Sequence, residues 1–238
     1  MIESGYDPLA EHYHLIFENW EASIERQAAA LGPLLERECG CRQLRILDCS
    51  CGIGTQALGL ARRGHQVTGS DVSAAAVERA RREAAQRGSA ITFHVADMRR
   101  LDGLPGEAFD AVVAADNSLP HLLSDEDLRL AAVSIRARLA PGGILLASIR
   151  DYDQLLAERP TVQGPAFLDD AGRRRIVHQV WDWTSERCYT FHLYITRETG
   201  EGWECFHYAA NYRALQRAEL GEILARSEER RVGKECRL

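Results

Sequence analysis

The stretch Leu47-Asp48-Cys49-Ser50-Cys51-Gly52-Ile53-Gly54-Thr55-Gln56 decides how this chain reads. An apolar run (Leu44, Ile46, Leu47) predicts a short buried strand that ends in a carboxylate. Gly52 and Gly54 follow, and Thr55 to Arg63 has helix-forming composition. Glycines in that position let the backbone turn tightly and let a ligand approach the main chain. The helix N-terminus adds free N–H groups. A strand, a glycine turn and a helix in that order point to a nucleotide-like cofactor.

The pattern repeats outward from this stretch. Strands are predicted at Leu44–Cys49, Gln66–Ser70, Ile91–Val95, Phe109–Ala115 and Ile144–Ile149. Helices fall between them, with Ser73 as an N-cap and Ser124-Asp125-Glu126-Asp127 resembling a capping box. Gly64 and Gly88 stand where helices should close. Strands alternating with helices at this pitch predict βαβ units and a Rossmann-like, doubly wound, mostly parallel α/β sheet. Upstream, Leu9, Tyr13, Ile16, Phe17, Trp20, Ile24 and Leu31 recur at helical spacing and predict one amphipathic helix. Downstream, Arg174–Trp183, Arg187–Arg197 and Trp203–Asn211 predict an antiparallel β-meander inserted after strand five, and Ala214–Ala225 returns to helix. The expected organisation is an N-terminal helical cap (1–40), a cofactor-binding core (41–150), an antiparallel insertion or substrate lid (151–212), a return helix (213–225) and a tail (226–238).

Composition limits the partners. The chain has 238 residues and a formal net charge of −6, which argues against nucleic acid. No apolar run approaches the roughly 18–20 residues of a membrane span, and the charged N-terminus carries no secretory pattern. The seven cysteines read as unpaired, which favours a cytoplasmic setting. Of the 29 basic residues only Lys234 is a lysine, as expected of a GC-rich, bacterial-type coding sequence. Cys39, Cys41, Cys49 and Cys51 invite a zinc reading, but C-x-C-x7-C-x-C is not a usual zinc spacing. No metal is expected.

Asp48, Gly52, Gly54, Asp71 and Asp97 mark the ends of three successive strands. Here the chain resembles the class I S-adenosylmethionine-dependent methyltransferases, from about Tyr6 to Ala225. The motifs are Leu47-Asp48-x-x-Cys51-Gly52-x-Gly54, Asp71-Val72, Ala96-Asp97-Met98 and Phe109-Asp110-Ala111-Val112-Val113. The resemblance implies S-adenosylmethionine as cofactor. It implies a loop of Cys51, Gly52 and Gly54 holding the methionine portion, with Asp48 orienting the loop and the cofactor ammonium. Asp71, beside Val72, would accept from the ribose hydroxyls, and Asp97 from the adenine amino group, with Met98 beside the ring. Asp116 would complete the cofactor site. Arg26 would pair with the cofactor carboxylate, or would be a solvated helix arginine. A dinucleotide site is the rival reading, because Gly52-x-Gly54-x-x-Ala57 fits G-x-G-x-x-G/A. A carboxylate four residues before the first glycine favours the methyltransferase.

Asp116-Asn117-Ser118-Leu119-Pro120-His121-Leu122 and Ile149-Arg150-Asp151-Tyr152-Asp153 resemble the glycine and glycine/sarcosine N-methyltransferase subgroup. That resemblance implies that Asn117 orients the substrate amine and Arg150 grips a carboxylate with two parallel bonds. His121 would contact the cofactor, act as a base or hold the helix entry. The chain departs from the subgroup at Asp116, where glycine is common, and at Asp151. The expected partner is a small amine or amino acid, methylated by direct in-line transfer. An oxygen or carbon acceptor, or a cofactor-binding module without turnover, remain alternatives.

The tail Arg226 to Arg237 resembles a translated sequencing-library adapter and is set aside as an artefact. The family sheet continues with two strands after the return helix. The expectation is therefore that these last two strands are missing and that the strand-five side is an unpaired edge.

Overall fold

A computed structural model of the chain describes residues 7–170 and 172–228. Its core is a parallel five-stranded sheet in the order β3-β2-β1-β4-β5. These strands are β1 (Arg45–Asp48), β2 (Gln66–Asp71), β3 (Thr92–Val95), β4 (Phe109–Ala114) and β5 (Leu139–Ala147). The chain reverses its direction of travel across the sheet between β3 and β4, so the ends of β1 and β4 border the switch point where open α/β sheets bind ligands. The crossovers carry α2 (Thr55–Arg62), α3 (Ala74–Gln86) and α4 (Asp125–Arg138). Ser73 and Ser124 cap α3 and α4 as expected, accepting from the N–H of Ala76 and Asp127. Among the described strands β5 is an edge, and the expected further hairpin and the tail beyond residue 228 lie outside the described residues. No described helix is long and apolar enough to cross a membrane.

The N-terminal expectation needs a correction. The periodic stretch is not one helix: a 3-10 turn at Tyr13–Ile16 precedes α1 (Trp20–Cys39), whose N-cap Asn19 accepts from the N–H of Ala22. The two parts serve different cores. Ile24 and Leu35 pack with Leu44, Ile46 and Leu58 on the parallel sheet. Leu9 and Leu15 pack with Trp181, Tyr189 and Ile195 of the second sheet.

That second sheet follows β5 and α5 (Tyr152–Glu158), a helix capped by Asp151. It is antiparallel, in the order β6-β7-β8-β9, with β6 (Val162–Asp170), β7 (Arg173–Trp183), β8 (Cys188–Glu198) and β9 (Trp203–Arg213). Three of these strands match the expected meander. The fourth, β6, and α5 were not legible: β6 is exposed along most of its length and shows no alternation of apolar residues. Finally, α6 (Arg217–Glu228) sets Leu220 against the face built from Leu128 and Ile135 of α4.

The α1–α2 contact allows a direct test of this packing. A Cβ added at Gly59 would stand 2.7 Å from both the Ala28 Cβ and the Ile24 carbonyl oxygen. Overpacking a rigid contact of this kind is worth about 1–3 kcal/mol. Gly59→Ala is therefore expected to lower stability by that amount in a urea melt. An unchanged midpoint would show that the helices are free to separate.

Candidate active site

The carboxyl ends of β1, β2, β3 and β4 open on one cavity of ≈ 610 Å³. Gly52, Asp71, Val72, Asp97, Met98, Asp116 and His121 line it. Gly52 (φ +52°) and Gly54 (φ +95°) both adopt the left-handed conformation that the turn requires. A Cβ on Gly52 would meet nothing within 4 Å, so the loop presents open space to the cavity. Gly54 and Cys51 do not line it. Gly54 is the N-cap of α2, and buried Cys51 ties the loop to β2 through its N–H and the Ser70 carbonyl at 2.9 Å.

The acidic residues have distinct environments. Asp48 is fully buried behind the loop, and neither carboxylate oxygen has a hydrogen-bond partner. Burial pushes its pKa up to about 8; the charges of Asp71 and Asp116 add to this, and the backbone N–H groups of Ser50 and Ala57, near but short of hydrogen-bond geometry, offset it only in part. Asp71 accepts from the N–H of Gly52 at 2.8 Å and of Ser73 at 2.9 Å. It thereby clamps the glycine loop to the start of α3. Burial still holds its carboxyl above the ordinary range. Asp97 is gripped by the Arg99 side chain, at 3.0 Å to Oδ1 and 2.6 Å to Oδ2. Burial opposes its ionisation, but Arg99 outweighs that and holds the carboxyl below its ordinary value. Arg99 also reaches Asp127, the remaining lining acid, at 2.5 Å. Asp116 sits at φ +52° and accepts from Gln56 Nε2 at 2.8 Å through Oδ2. Gln56 in turn reaches Gln27 of α1 at 2.6 Å.

Several residues lie elsewhere than the sequence reading placed them. Arg26 is exposed on α1 and is not among the cavity residues; Gln27, one position on, faces the loop instead. Asn117 is buried off the cavity, with φ +64°. Its carbonyl oxygen, expected to face the substrate amine, accepts from the Arg150 N–H at 3.1 Å, and its amide donates to the Tyr152 hydroxyl at 2.9 Å. It thus fastens the end of β4 to the start of α5. Arg150 also stands off the cavity lining. Its guanidinium lies over the rings of Trp181 (4.7 Å), Phe191 (5.3 Å) and Tyr212 (5.8 Å). Such contacts are worth about 2 kcal/mol when desolvated. Its Nη1 is buried without a hydrogen-bond partner. His121 lines the cavity with its ring 4.0 Å from that of Tyr212. Burial lowers its pKa to about 4, a backbone hydrogen bond to Asn211 opposes this, and the Arg150 charge adds to it, so the imidazole is neutral at pH 7. Among the described residues no group of three or more His, Cys, Asp or Glu side chains is placed to hold a metal, so the cysteines at 39, 41, 49 and 51 do not converge.

The sequence reading gave the N-terminal segment as a cap and the insertion as a lid but did not name the residues that wall the site. Tyr13 and Ala10 of the N-terminal segment and Ala209, Ala210 and Asn211 of β9 line the cavity. Burial raises the Tyr13 hydroxyl well above its ordinary value, and the nearby charges of Asp116 and Asp71 raise it further, while Arg150 lowers it. Tyr13 therefore feels the charges of both the acidic strand ends and Arg150. The only sequence signal was its aromatic character, which helical periodicity absorbed.

Residues 46–143 match a methyltransferase domain family. The chain has the Rossmann-like fold of class I methyltransferases. It is 35% identical over 139 residues to a glycine/sarcosine N-methyltransferase of Parasynechococcus marenigrum, covering 58% of this chain and 48% of that protein. It is 34% identical over 146 residues to the glycine N-methyltransferase of Rattus norvegicus, covering 57% and 48%. The chain thus spans about half the length of these curated relatives. Among solved structures, Streptomyces venezuelae DesVI aligns with a TM-score of 0.75 at 21% identity, over 86% of this chain and 83% of that one. CalS10, an amino pentose methyltransferase of Micromonospora echinaspora solved with S-adenosylmethionine bound, aligns at 0.72 and 23%, over 86% and 83%. Both place the fold.

The cavity at the strand ends fits S-adenosylmethionine. Its described lining includes Asp71, Asp97, Asp116 and Asp127 and no lysine or arginine, which suits a ligand with a cationic sulfur and an ammonium group. The unpartnered buried carboxyl of Asp48 lies behind the loop where positive charge would settle. A pyrophosphate would face these acids without a basic partner, which disfavours the dinucleotide reading.

Proposed function

We propose that the chain is an S-adenosylmethionine-dependent methyltransferase acting on the nitrogen of a small amine or amino acid, of the glycine or sarcosine type. The observation that carries this reading is the convergence of Gly52, Asp71, Asp97 and Met98 on one cavity whose lining acids face no lysine or arginine among the lining residues. S-adenosylmethionine, when bound, supplies a methyl group on a cationic sulfur that needs no further activation. In this reading Gly52 and Asp71 hold the cofactor with Asp48 behind them, and Val72, Asp97 and Met98 flank its nucleoside end. Ala10, Tyr13 and Ala209 to Asn211 cover the cavity and exclude water. The main work of the protein is then to position the acceptor. Relatives named for glycine and sarcosine supply the amine class. The buried, unpartnered Nη1 of Arg150 supports a carboxylate partner within the aromatic box. Six free cysteines among the described residues are in keeping with a reducing, cytoplasmic setting.

The test is a panel of amines, amino acids and hydroxyl compounds assayed with S-adenosylmethionine for S-adenosylhomocysteine formation. Turnover of glycine, sarcosine or another small amine is expected. Turnover of hydroxyl compounds alone would contradict the nitrogen assignment, and cofactor binding without any turnover would point to a binding module. For a carboxylate-bearing acceptor, Arg150→Ala is expected to raise KM by about 10–100-fold, the loss of one charge-assisted contact, with cofactor affinity nearly intact. Unchanged acceptor kinetics would remove Arg150 from the site.

A further inference from the structure

We infer that Asp116 is the receptor for the acceptor's ammonium group and takes up the proton that must leave before the nitrogen can be methylated. The inference rests on the methyltransferase reading above and deepens it, giving Asp116 to the acceptor in place of the cofactor role that the resemblance implied.

Of the acids lining the cavity, Asp116 alone lacks compensation among the described residues. Asp71 accepts from two backbone N–H groups, and Asp97 and Asp127 share Arg99. Asp116 has one neutral amide, Gln56, on Oδ2, and Oδ1 carries no hydrogen bond. Its backbone lies in the left-handed region (φ +52°), and so does that of Asn117 (φ +64°). Glycine takes that conformation without strain; this chain has a carboxylate there instead. Strained backbone that holds a charged side chain in a cavity is a mark of function rather than of packing. The Gln27–Gln56 pair holds the carboxylate, and Tyr13 lines the same cavity.

The chemistry needs such a group. A small amine is an ammonium ion at neutral pH and has no lone pair to offer. In the inferred step an N–H bond of the ammonium breaks, its electron pair stays on nitrogen, and the proton goes to Asp116 Oδ1. His121, the other lining base, is held near 4 by burial and is a poor acceptor. Burial raises the Asp116 carboxyl, with Gln56 opposing, which brings it closer to the working pH. The ionisable groups that share its cavity are Asp71, Asp97, Asp127, Tyr13 and His121, and its charge also reaches Asp48 behind the loop. With Arg150 for a carboxylate and Asp116 for the ammonium, the site reads both ends of a zwitterion.

The test compares wild type with Asp116→Asn and Asp116→Gly on glycine, sarcosine, ethanolamine and D-glucosamine. Both variants should lose at least 100-fold in kcat/KM for whichever amine the wild type methylates. The Asn deficit should shrink as pH rises toward the amine's own pKa. S-adenosylhomocysteine affinity by calorimetry should stay within threefold, and Asp116→Gly should melt no lower than wild type. A pH-independent deficit, unchanged amine kinetics, or a matching loss of cofactor affinity would overturn the inference while leaving the methyltransferase reading standing. No turnover of any amine by wild type would overturn both.

Discussion

Replacing Asp71 by alanine is expected to weaken S-adenosylmethionine binding by roughly 100-fold or more and to lower stability by about 2–4 kcal/mol. Both effects come from the same two bonds. The Asp71 carboxylate accepts from Gly52 N–H on the glycine loop and from Ser73 N–H at the cap of α3. Hydrogen bonds to an ionised group are worth about 1.5–3 kcal/mol each, and removing the acceptor leaves two donors without their partner. The loop is then free to leave the cavity wall, and the acid that would face the ribose is gone. Asp71→Asn keeps one acceptor oxygen and the side-chain volume, so it should retain most of the stability while still losing affinity. Calorimetric titration of the cofactor, with urea melts of each variant, checks the pair. Near-native affinity in Asp71→Ala would mean that the end of β2 does not meet the ligand.

The second large effect is a pH dependence carried by Asp48. An aspartate in the unfolded chain titrates near 3.9. In the fold, burial moves Asp48 up to about 8. Between those values the native state holds a proton that the unfolded state has released, so stability falls as pH rises through the window and levels off above about 8. The contribution is at most about 1.4 kcal/mol per pH unit. His12, His14, His65, His94 and His121, all depressed by burial, act in the opposite sense and below about pH 7. The clean window therefore lies above neutrality. From pH 7 to 9 the ligand-free protein is expected to lose about 1 kcal/mol that Asp48→Asn does not lose. Parallel pH profiles for the two proteins would show that Asp48 is ionised throughout. A cation bound against the loop would favour the charged carboxylate, so cofactor binding near pH 7 should release a proton.

The fold was legible where each local signal agreed with its neighbours. The run from Leu44 to Gln56 joins apolar burial, a left-handed glycine turn and a helix start within a dozen residues, and the structure realises all three. The Ser73 and Ser124 caps are similarly local. Failures occurred where tertiary contacts overrule local pattern. The residues from Leu9 to Leu31 keep helical spacing, yet Asn19 starts a new helix and the upstream half packs on the other sheet. In β6 both faces are largely exposed, so alternation had nothing to report. The candidate site divided in the same way. Gly52, Asp71, Val72, Asp97, Met98, Asp116 and His121 follow from strand order and meet at one cavity. Tyr13 and Asn211 reach it from distant parts of the chain, and the aromatic box around Arg150 requires the pairing of β7, β8 and β9. Arg26 illustrates the limit of transfer by resemblance: one residue along a helix turns a side chain by about 100°, from the loop to solvent.

The most direct measurement is calorimetric titration of the purified chain with S-adenosylmethionine in buffers of different ionisation enthalpy. The expected result is a single saturable site, competed by S-adenosylhomocysteine, with proton release near pH 7 that Asp48→Asn abolishes. Absence of binding at millimolar cofactor by a folded protein would contradict the assignment.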